Sequence, residues 1–423
     1  MMSNLWYRHL TVVAVLLLCT VLSSRTFGQM PGNRTRDTAV DLEPESYAVD
    51  GSDHKTTSAI PLDADARHSK FWIVSSRVCC RCSRGRCVGC NFKYWRYTES
   101  NCLHSSNQKS LVNSLQPGTP VCLVVHGSYV LSKDVLQDSL NTYQWLRAAA
   151  PELPLHVVFF TWPSEGVMTL LPHNGAPSLL PQVDVAVLGR RSSFHGVYLA
   201  QLMSSIPADH PISLIGHSHG ARTVSAAVHL FGEGSVQGYV LPYAKRFQNR
   251  IRVVLAAAAI DHHWLNPGER YGQTLIRAEW LLNFKNRRDW ALSMYPFRRP
   301  FSHQALACRG FTRKDRNRQG WLNAKTSELD VTELLGKAHL WPHYYRHVCL
   351  ARTLIPYVYF ADSASSSNSV DELAADTLLG DSRSRKLWQA THEARQNDVT
   401  PVEDAHSIGY PVPPRGFEPL SQD

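Results

Sequence analysis

Five short apolar runs, rich in aliphatic and aromatic residues, are the feature that most restricts the fold of this chain. They are VCLVVHG (121–127), HVVFFTW (156–162), PISLIG (211–216), IRVVLAAA (251–258) and EWLLNF (279–284). Such near-continuous apolar runs are typical of strands that are buried on both faces of a sheet. Helix-like stretches lie between them, at 132–150, 192–206 and 221–231. This alternation predicts an α/β fold, with a mostly parallel central sheet covered by helices on both faces.

The regions outside this alternation predict tails around one domain. The apolar run at 10–24 has the length of a secretory signal and is short for a membrane span, so residues 1–28 predict a signal peptide, with an uncleaved N-terminal anchor as the alternative. Residues 29–69 predict a flexible linker, and the Ser- and Pro-rich residues 361–423 predict a largely disordered tail. We therefore expect a domain at 70–360 in an exported protein, periplasmic or extracellular, or one held at the membrane.

Ahead of the first run, two shorter segments predict one edge of the sheet. They are FWIVSSR (71–77) and NFKYWRY (91–97), and they suit an antiparallel pair.

The third apolar run continues into the sequence GHSHGAR. It satisfies G-x-S-x-G in the setting that this pattern requires, with a strand before it and a small-residue helix after it. A serine on such a turn has a strained backbone that points its Oγ outward, and Gly216 and Gly220 avoid collisions beside it. Ser218 is therefore the predicted nucleophile, and a structural glycine turn is the alternative. We expect His217 and His219 to shape the turn rather than to take the proton.

Two backbone N–H groups are expected to face this hydroxyl. The first apolar run ends in HGSY (126–129), where the chain is free to turn. The N–H of Ser128 and the N–H of His219 together predict an oxyanion hole, which holds the negative charge of a tetrahedral intermediate. A plain glycine turn at the end of the strand is the alternative.

These residues resemble the alpha/beta-hydrolase superfamily and, more narrowly, a bacterial, planctomycete-type group of unknown function within it. The matching segments are VVHGSY (124–129), VVFFTWPSEG (157–166), LIGHSHGAR (214–222), VVLAAAAID (253–261) and NRRDWAL (286–292). The resemblance spans roughly residues 71–355. It implies the alpha/beta-hydrolase fold, acyl transfer without a cofactor, and catalytic residues in the order nucleophile, acid, histidine.

The resemblance also implies candidates for the acid and the histidine. Asp289 lies where the group carries its acid, and the alternative role for it is a surface pair with the neighbouring arginines. Asp261 is the substitute, in a segment where this chain lacks one of the group's two acids. His343 best fits the group's pattern of a histidine, any residue and an aromatic residue. His339 is the alternate.

Cysteines and histidines allow a competing reading. Six of the ten cysteines lie between 79 and 102. In an exported chain, this density of cysteines favours disulfides in a surface insertion. A zinc knuckle, which the spacing of the cysteines also suits, and unpaired thiols are the alternatives. The 20 histidines include the neighbours His262 and His263 and the pair His343 and His347, which suit a metal site. A metal-dependent hydrolase is the weakest alternative, because no acidic ligand has a convincing spacing. We expect no metal at the catalytic residues.

Taken together, these patterns predict a serine hydrolase that cleaves a carboxylic ester, or an amide or thioester, through an acyl-enzyme on Ser218. The expected substrate is a small-molecule or lipid-like ester, and residues 166–191 are expected to line its pocket. The formal net charge of +9 favours anionic partners or membrane faces, and composition does not choose between them. The basic stretch 285–318 is expected to be a solvated face, and nucleic acid suits an exported chain poorly. A non-catalytic, hydrolase-like binding scaffold is the alternative of a different class.

Overall fold

A computed structural model describes residues 70–79, 90–98, 102–166, 181–298 and 302–361. The predicted signal segment, the linker and all of the predicted tail after residue 361 lie outside these residues. Parts of the Cys-rich insertion (80–89 and 99–101) and of the expected pocket segment (167–180) also lie outside them.

Eleven strands occur in the described residues. They are β1 (Lys70–Ser75), β2 (Lys93–Tyr97), β3 (Leu103–Ser106), β4 (Val121–Val125), β5 (His156–Thr161), β6 (Ile212–His217), β7 (Ser235–Val236), β8 (Tyr239–Val240), β9 (Ile251–Ala256), β10 (Trp280–Lys285) and β11 (Thr326–Asp330). Nine form one sheet in the order β11-β10-β9-β6-β4-β5-β1-β2-β3, and β7 and β8 pair separately.

The helices of the same residues connect and cover these strands. The α-helices are α1 (Gln108–Ser114), α2 (Val135–Ala149), α3 (Pro181–Met203), α4 (His219–Phe231), α5 (Gln273–Arg277), α6 (Trp290–Ser293), α7 (Leu306–Arg309), α8 (Arg313–Gln319), α9 (Thr332–Leu335), α10 (Pro342–Tyr345), α11 (Val348–Thr353) and α12 (Ile355–Val358). Short 3₁₀ turns lie at Ser132–Asp134, Ala244–Arg246, Tyr295–Arg298 and Gly320–Lys325. Across the described ranges, no helix combines the length and apolar character that crossing a bilayer requires.

The centre of the sheet explains the apolar runs. Every residue of β4, β5, β6 and β9 is buried, as expected for strands with helices on both faces. Seven strands, from β11 to β1, run parallel, and the predicted α/β architecture is confirmed. The predicted antiparallel pair is present at this edge: β1 pairs with β2, and β2 with β3, in antiparallel fashion, while β1 is also parallel to β5.

The turn after β6 is tight enough to require its glycines. A Cβ on Gly220 would lie 2.2 Å from the carbonyl oxygen of Val125, and one on Gly216 would lie 2.6 Å from the Cα of Ala221. Real Cβ atoms do not approach backbone this closely. The helix α4 therefore packs directly against the end of β4, and this contact fixes the position of the first turn of α4.

Candidate active site

Ser218 lies between β6 and α4 in a backbone conformation that L-residues rarely adopt. Its φ is 53° and its ψ is −119°. Its N–H donates to the carbonyl of Ala256 at 2.9 Å, and its own carbonyl accepts the N–H of Ala259 at 3.2 Å. Such strain persists only where the surroundings over-determine it, and it is common at functional sites. Here the last residue of β9 and the chain just after it bind the N–H and the carbonyl of Ser218.

A connected pair of hydrogen bonds joins Ser218 to a buried carboxylate. The Oγ of Ser218 lies 3.1 Å from the Nε2 of His339, and the Nδ1 of His339 lies 2.8 Å from the Oδ2 of Asp289. Asp289 is fully buried. When Nδ1–H donates to the carboxylate, Nε2 carries the lone pair that accepts the hydroxyl proton. The three side chains thus have the geometry of a nucleophile, a base and the group that orients the base.

His339, rather than the predicted His343, lies beside Ser218, so the structure does not bring His343 to the serine hydroxyl. His343 lies one residue inside α10, next to Tyr344, which is fully buried and stacks on Phe284 at 6.2 Å between ring centroids. Successive helix residues point about 100° apart, so a helix that buries Tyr344 directs its neighbour elsewhere. His339-Leu340-Trp341 fits the same sequence pattern as His343-Tyr344-Tyr345.

Two hydrogen bonds hold the loop of His339 against the loop of Asp289. The side-chain amide of Asn286 donates to the carbonyl of Ala338 at 3.2 Å, and the N–H of Trp290 donates to the carbonyl of Lys337 at 3.4 Å. The second carboxylate oxygen of Asp289 accepts the N–H of Leu292 at 3.0 Å and so caps α6. Sequence reasoning missed Asn286, because nothing local to it indicates a partner about fifty residues away.

His217 also fixes the backbone of His339. Its Nε2–H donates to the carbonyl oxygen of His339 at 2.7 Å, and its ring packs against Trp341 at 5.6 Å. Burial, reinforced by the nearby His339, lowers the pKa of His217 to about 3, so the ring is neutral at physiological pH. We expected His217 to shape the turn only. In the structure it also holds the loop that carries His339.

The alternative partners of Asp289 are occupied elsewhere. Arg287 pairs with Asp330 at 3.0 Å and Arg288 pairs with Glu333 at 3.2 Å, both near the surface, so neither arginine pairs with Asp289.

Asp261, the substitute acid, lies in a different network. Its buried carboxylate accepts the hydroxyl of Tyr295 at 3.0 Å and pairs with Arg298. Asp289 therefore takes the acid position beside His339, and Asp261 does not.

The two predicted oxyanion donors lie on adjoining turns. A Cβ on Gly127 would lie 3.0 Å from the Cβ of Ser218, so the backbone leading into Ser128 passes directly beside Ser218. The hydroxyl of Ser128 and the Nδ1 of His219 share a hydrogen bond at 2.6 Å, which ties the two turns together. Within the described ranges, the backbone N–H groups of Ser128 and His219 donate to no acceptor.

The side chain of His219 is held neutral beside these donors. Burial, with Arg222 adding to the effect, moves the pKa of His219 well below its usual value. The ring is therefore neutral at physiological pH, and its Nδ1 shares a hydrogen bond with the Ser128 hydroxyl.

No protein-family model and no curated protein matches the chain. Among solved structures it is similar to a chain described as a "putative cell surface hydrolase" from Lactobacillus plantarum WCFS1. The identity is 10%, the TM-score is 0.32, and the match covers 62% of this chain and 99% of that one. A likeness at this level says nothing about the activity of this chain, and the narrower resemblance to a planctomycete-type group stays a prediction.

Proposed function

We propose that this chain is a serine hydrolase that cleaves a carboxylic ester, or an amide or thioester, through an acyl-enzyme on Ser218. The observation that carries the proposal is the continuous hydrogen-bonded path from the Ser218 hydroxyl through His339 to buried Asp289, at 3.1 Å and 2.8 Å. A positioned base next to a strained, otherwise weak nucleophile is the arrangement that acyl transfer requires.

The reaction takes two symmetrical steps. The Oγ of Ser218 attacks the carbonyl carbon while the Nε2 of His339 accepts its proton, and the carbonyl oxygen becomes an oxyanion facing the N–H groups of Ser128 and His219. Collapse transfers the proton from His339 to the leaving alkoxide and leaves an ester on Ser218. Water then attacks this ester with His339 again as the base, and a carboxylic acid leaves. Asp289 stays ionised and stabilises the imidazolium that forms in each step.

Exposed apolar side chains support an apolar substrate, such as a lipid-like ester. Each of three site loops carries one immediately after its site residue: Tyr129 follows Ser128, Trp290 follows Asp289 and Leu340 follows His339. Their exposed fractions are 48%, 63% and 59%. Isolated exposed apolar residues are ordinary, but three large ones that each follow a site residue in the chain favour contact with an apolar acyl or alcohol group.

Export, or attachment to the membrane through the N-terminal apolar segment, is part of the same proposal. The disulfide between Cys79 and Cys90 supports it, because such bonds persist in oxidising compartments. The disulfide also favours a cross-linked insertion over a zinc knuckle for this pair of cysteines.

A fluorophosphonate probe is expected to label the full chain at one site per molecule. The phosphorus is attacked by the activated hydroxyl, and peptide mapping is expected to place the adduct on Ser218. Heat-unfolded protein is the control, because the path from Ser218 to Asp289 exists only in the folded chain. A folded sample without labelling, or a label on another serine, would favour the non-catalytic scaffold.

A series of p-nitrophenyl esters tests the apolar substrate. kcat/KM is expected to rise with acyl length, by at most about fourfold for each CH₂ that the protein buries, since one buried CH₂ contributes about 0.8 kcal/mol. Trp290→Ser is expected to flatten this dependence. Trp321→Ser is the matched control: Trp321 is 72% exposed and precedes the amino end of β11, at the opposite edge of the sheet. Equal flattening in both variants, or no dependence on length, would contradict an apolar site.

A further inference from the structure

Three histidines converge away from the Ser218 path. His262 and His263 lie in the loop after β9, and His303 lies just before α7. One ring nitrogen of each lies within 4.8 Å of one ring nitrogen of both others. The ring centroids of His263 and His303 are 4.4 Å apart, and each of the other pairs is separated by 5.4 Å.

Backbone pairing brings the two segments together. The N–H of His262 donates to the carbonyl of Gln304 at 3.2 Å, the N–H of Leu306 donates to the carbonyl of Ile260 at 2.8 Å, and Asp261 forms an antiparallel bridge with Ala305. The position of His303 beside the histidine pair is therefore set by the backbone.

A buried carboxylate orients His262. The Nδ1–H of His262 donates to the Oδ2 of Asp315 at 2.7 Å, and the amide of Asn266 donates to the Oδ1 of the same carboxylate at 2.7 Å. This leaves the Nε2 of His262 available to a ligand. Metal-binding histidines almost always donate their second ring N–H to a carboxylate, a carbonyl or water, because this fixes the tautomer and raises the basicity of the other nitrogen.

The ring of His263 also has a nitrogen available to a ligand. Its Nδ1 is buried and has no hydrogen-bond partner among the described residues, while its Nε2 lies 3.9 Å from a carboxylate oxygen of Glu269. Buried polar atoms without a hydrogen-bond partner are uncommon, so the Nδ1 of His263 calls for an explanation. A metal ion between the three rings would satisfy it.

We propose that His262, His263 and His303 bind one Zn²⁺ ion. Three neutral imidazoles suit Zn²⁺ among the common biological cations, and a three-histidine set leaves the fourth tetrahedral position to water. Ligand nitrogens around zinc lie roughly 3.4 Å apart, given Zn–N distances of about 2.0–2.1 Å. The ring nitrogens therefore need to close by up to about 1.4 Å, and rotation of the exposed His303 side chain contributes to this closure.

The ion would hold the segment 302–309 against the end of β9. That segment also supports the acid loop, because the N–H of Asn286 donates to the carbonyl of Ala307 at 2.7 Å. The site is separate from the Ser218 path, and its role in the proposal is to stabilise the loops that flank that path.

The test is zinc binding by the full chain, expressed without a histidine tag and stripped with a chelator. One Zn²⁺ per chain is expected in a competition titration with a chromophoric chelator, together with a higher Tm. His303→Ala is expected to weaken binding at least tenfold, and Asp315→Asn is expected to weaken it about 10–100-fold through His262. His104→Ala is the matched control, because His104 is also an exposed histidine but lies on β3. It is expected to bind as the unaltered chain does.

Cobalt identifies the ligands independently of affinity. The Co²⁺ form is expected to show the visible bands of a tetrahedral site without thiolate-to-metal charge-transfer absorption, because the ligands are imidazoles. Charge-transfer bands would place the metal at the cysteines and overturn the proposal. So would an unaltered chain that binds no zinc, or full stoichiometry and affinity in a His303→Ala variant whose metal-free Tm is unchanged.

Discussion

Replacing His339 by alanine is expected to lower kcat/KM for an activated ester by about 10⁴–10⁶-fold, close to the loss in Ser218→Ala. His339 provides the Nε2 that lies 3.1 Å from the Ser218 hydroxyl, and no other imidazole hydrogen-bonds to that hydroxyl within the described ranges. Without this base the hydroxyl is a weak nucleophile at neutral pH. The remaining rate would come from the oxyanion donors and from substrate binding, because neither depends on the imidazole of His339.

His343→Ala is the matched variant, since it removes the same side chain four residues further along. It is expected to stay within about threefold of the unaltered chain, because α10 directs His343 away from Ser218 while keeping Tyr344 in the core. The rate of fluorophosphonate labelling gives a second readout that does not depend on substrate choice. A large loss in His343→Ala, with His339→Ala near the unaltered rate, would show that the base is not the histidine seen here. Calorimetry of both variants checks that they are folded.

The placement of Ser218 on a strained turn between a strand and a helix was predictable because its evidence is local. The requirements of the turn fall within five residues, and each glycine position can be argued from the space beside it. The nearness of Ser128 to His219 was predictable for a similar reason, since both adjoin the carboxyl ends of neighbouring strands, β4 and β6. Asp289 was implied by the family resemblance, and its role as the acid stays a prediction.

The histidine was not predictable in the same way. His339-Leu340-Trp341 and His343-Tyr344-Tyr345 both consist of a histidine, any residue and an aromatic residue, and the three-dimensional path of the loop decides which histidine lies beside Ser218. That path depends on Asn286 and His217, whose bonds to this loop span sequence separations of 52 and 122 residues. Long-range bonds of this kind leave no periodic signal in the sequence.

For the fold as well, the features that depend on local residues were predictable, and those that depend on distant residues were not. Strands buried on both faces carry continuous apolar runs and were recognised. The edge strand β11 was missed, because its sequence TSELD is mostly half-buried and polar. The orientation of β1 was not predictable from its own residues, since direction depends on which strand lies beside it.

Replacing Asp289 by asparagine is expected to lower kcat about 10⁴-fold with little loss of stability. One carboxylate oxygen accepts the Nδ1–H of His339 at 2.8 Å, and the other accepts the N–H of Leu292 at 3.0 Å. Asparagine keeps an oxygen for the helix cap but presents an NH₂ group to Nδ1. The imidazole then carries its proton on Nε2, facing Ser218, and cannot accept the hydroxyl proton.

Asp261→Asn is the informative comparison, because Asp261 is another buried acid that pairs with a cation, Arg298, outside the Ser218 path. Leaving that guanidinium without its counter-charge is expected to reduce the free energy of unfolding by about 3–5 kcal/mol, as breaking a buried ion pair does. The reaction rate of the folded fraction is expected to stay near that of the unaltered chain. Urea titrations and kcat, measured side by side at a temperature where both variants are folded, separate the two roles. Equal losses of kcat in the two variants would contradict the assignment of Asp289, because a carboxylate that merely supports the fold affects rate only through the folded fraction.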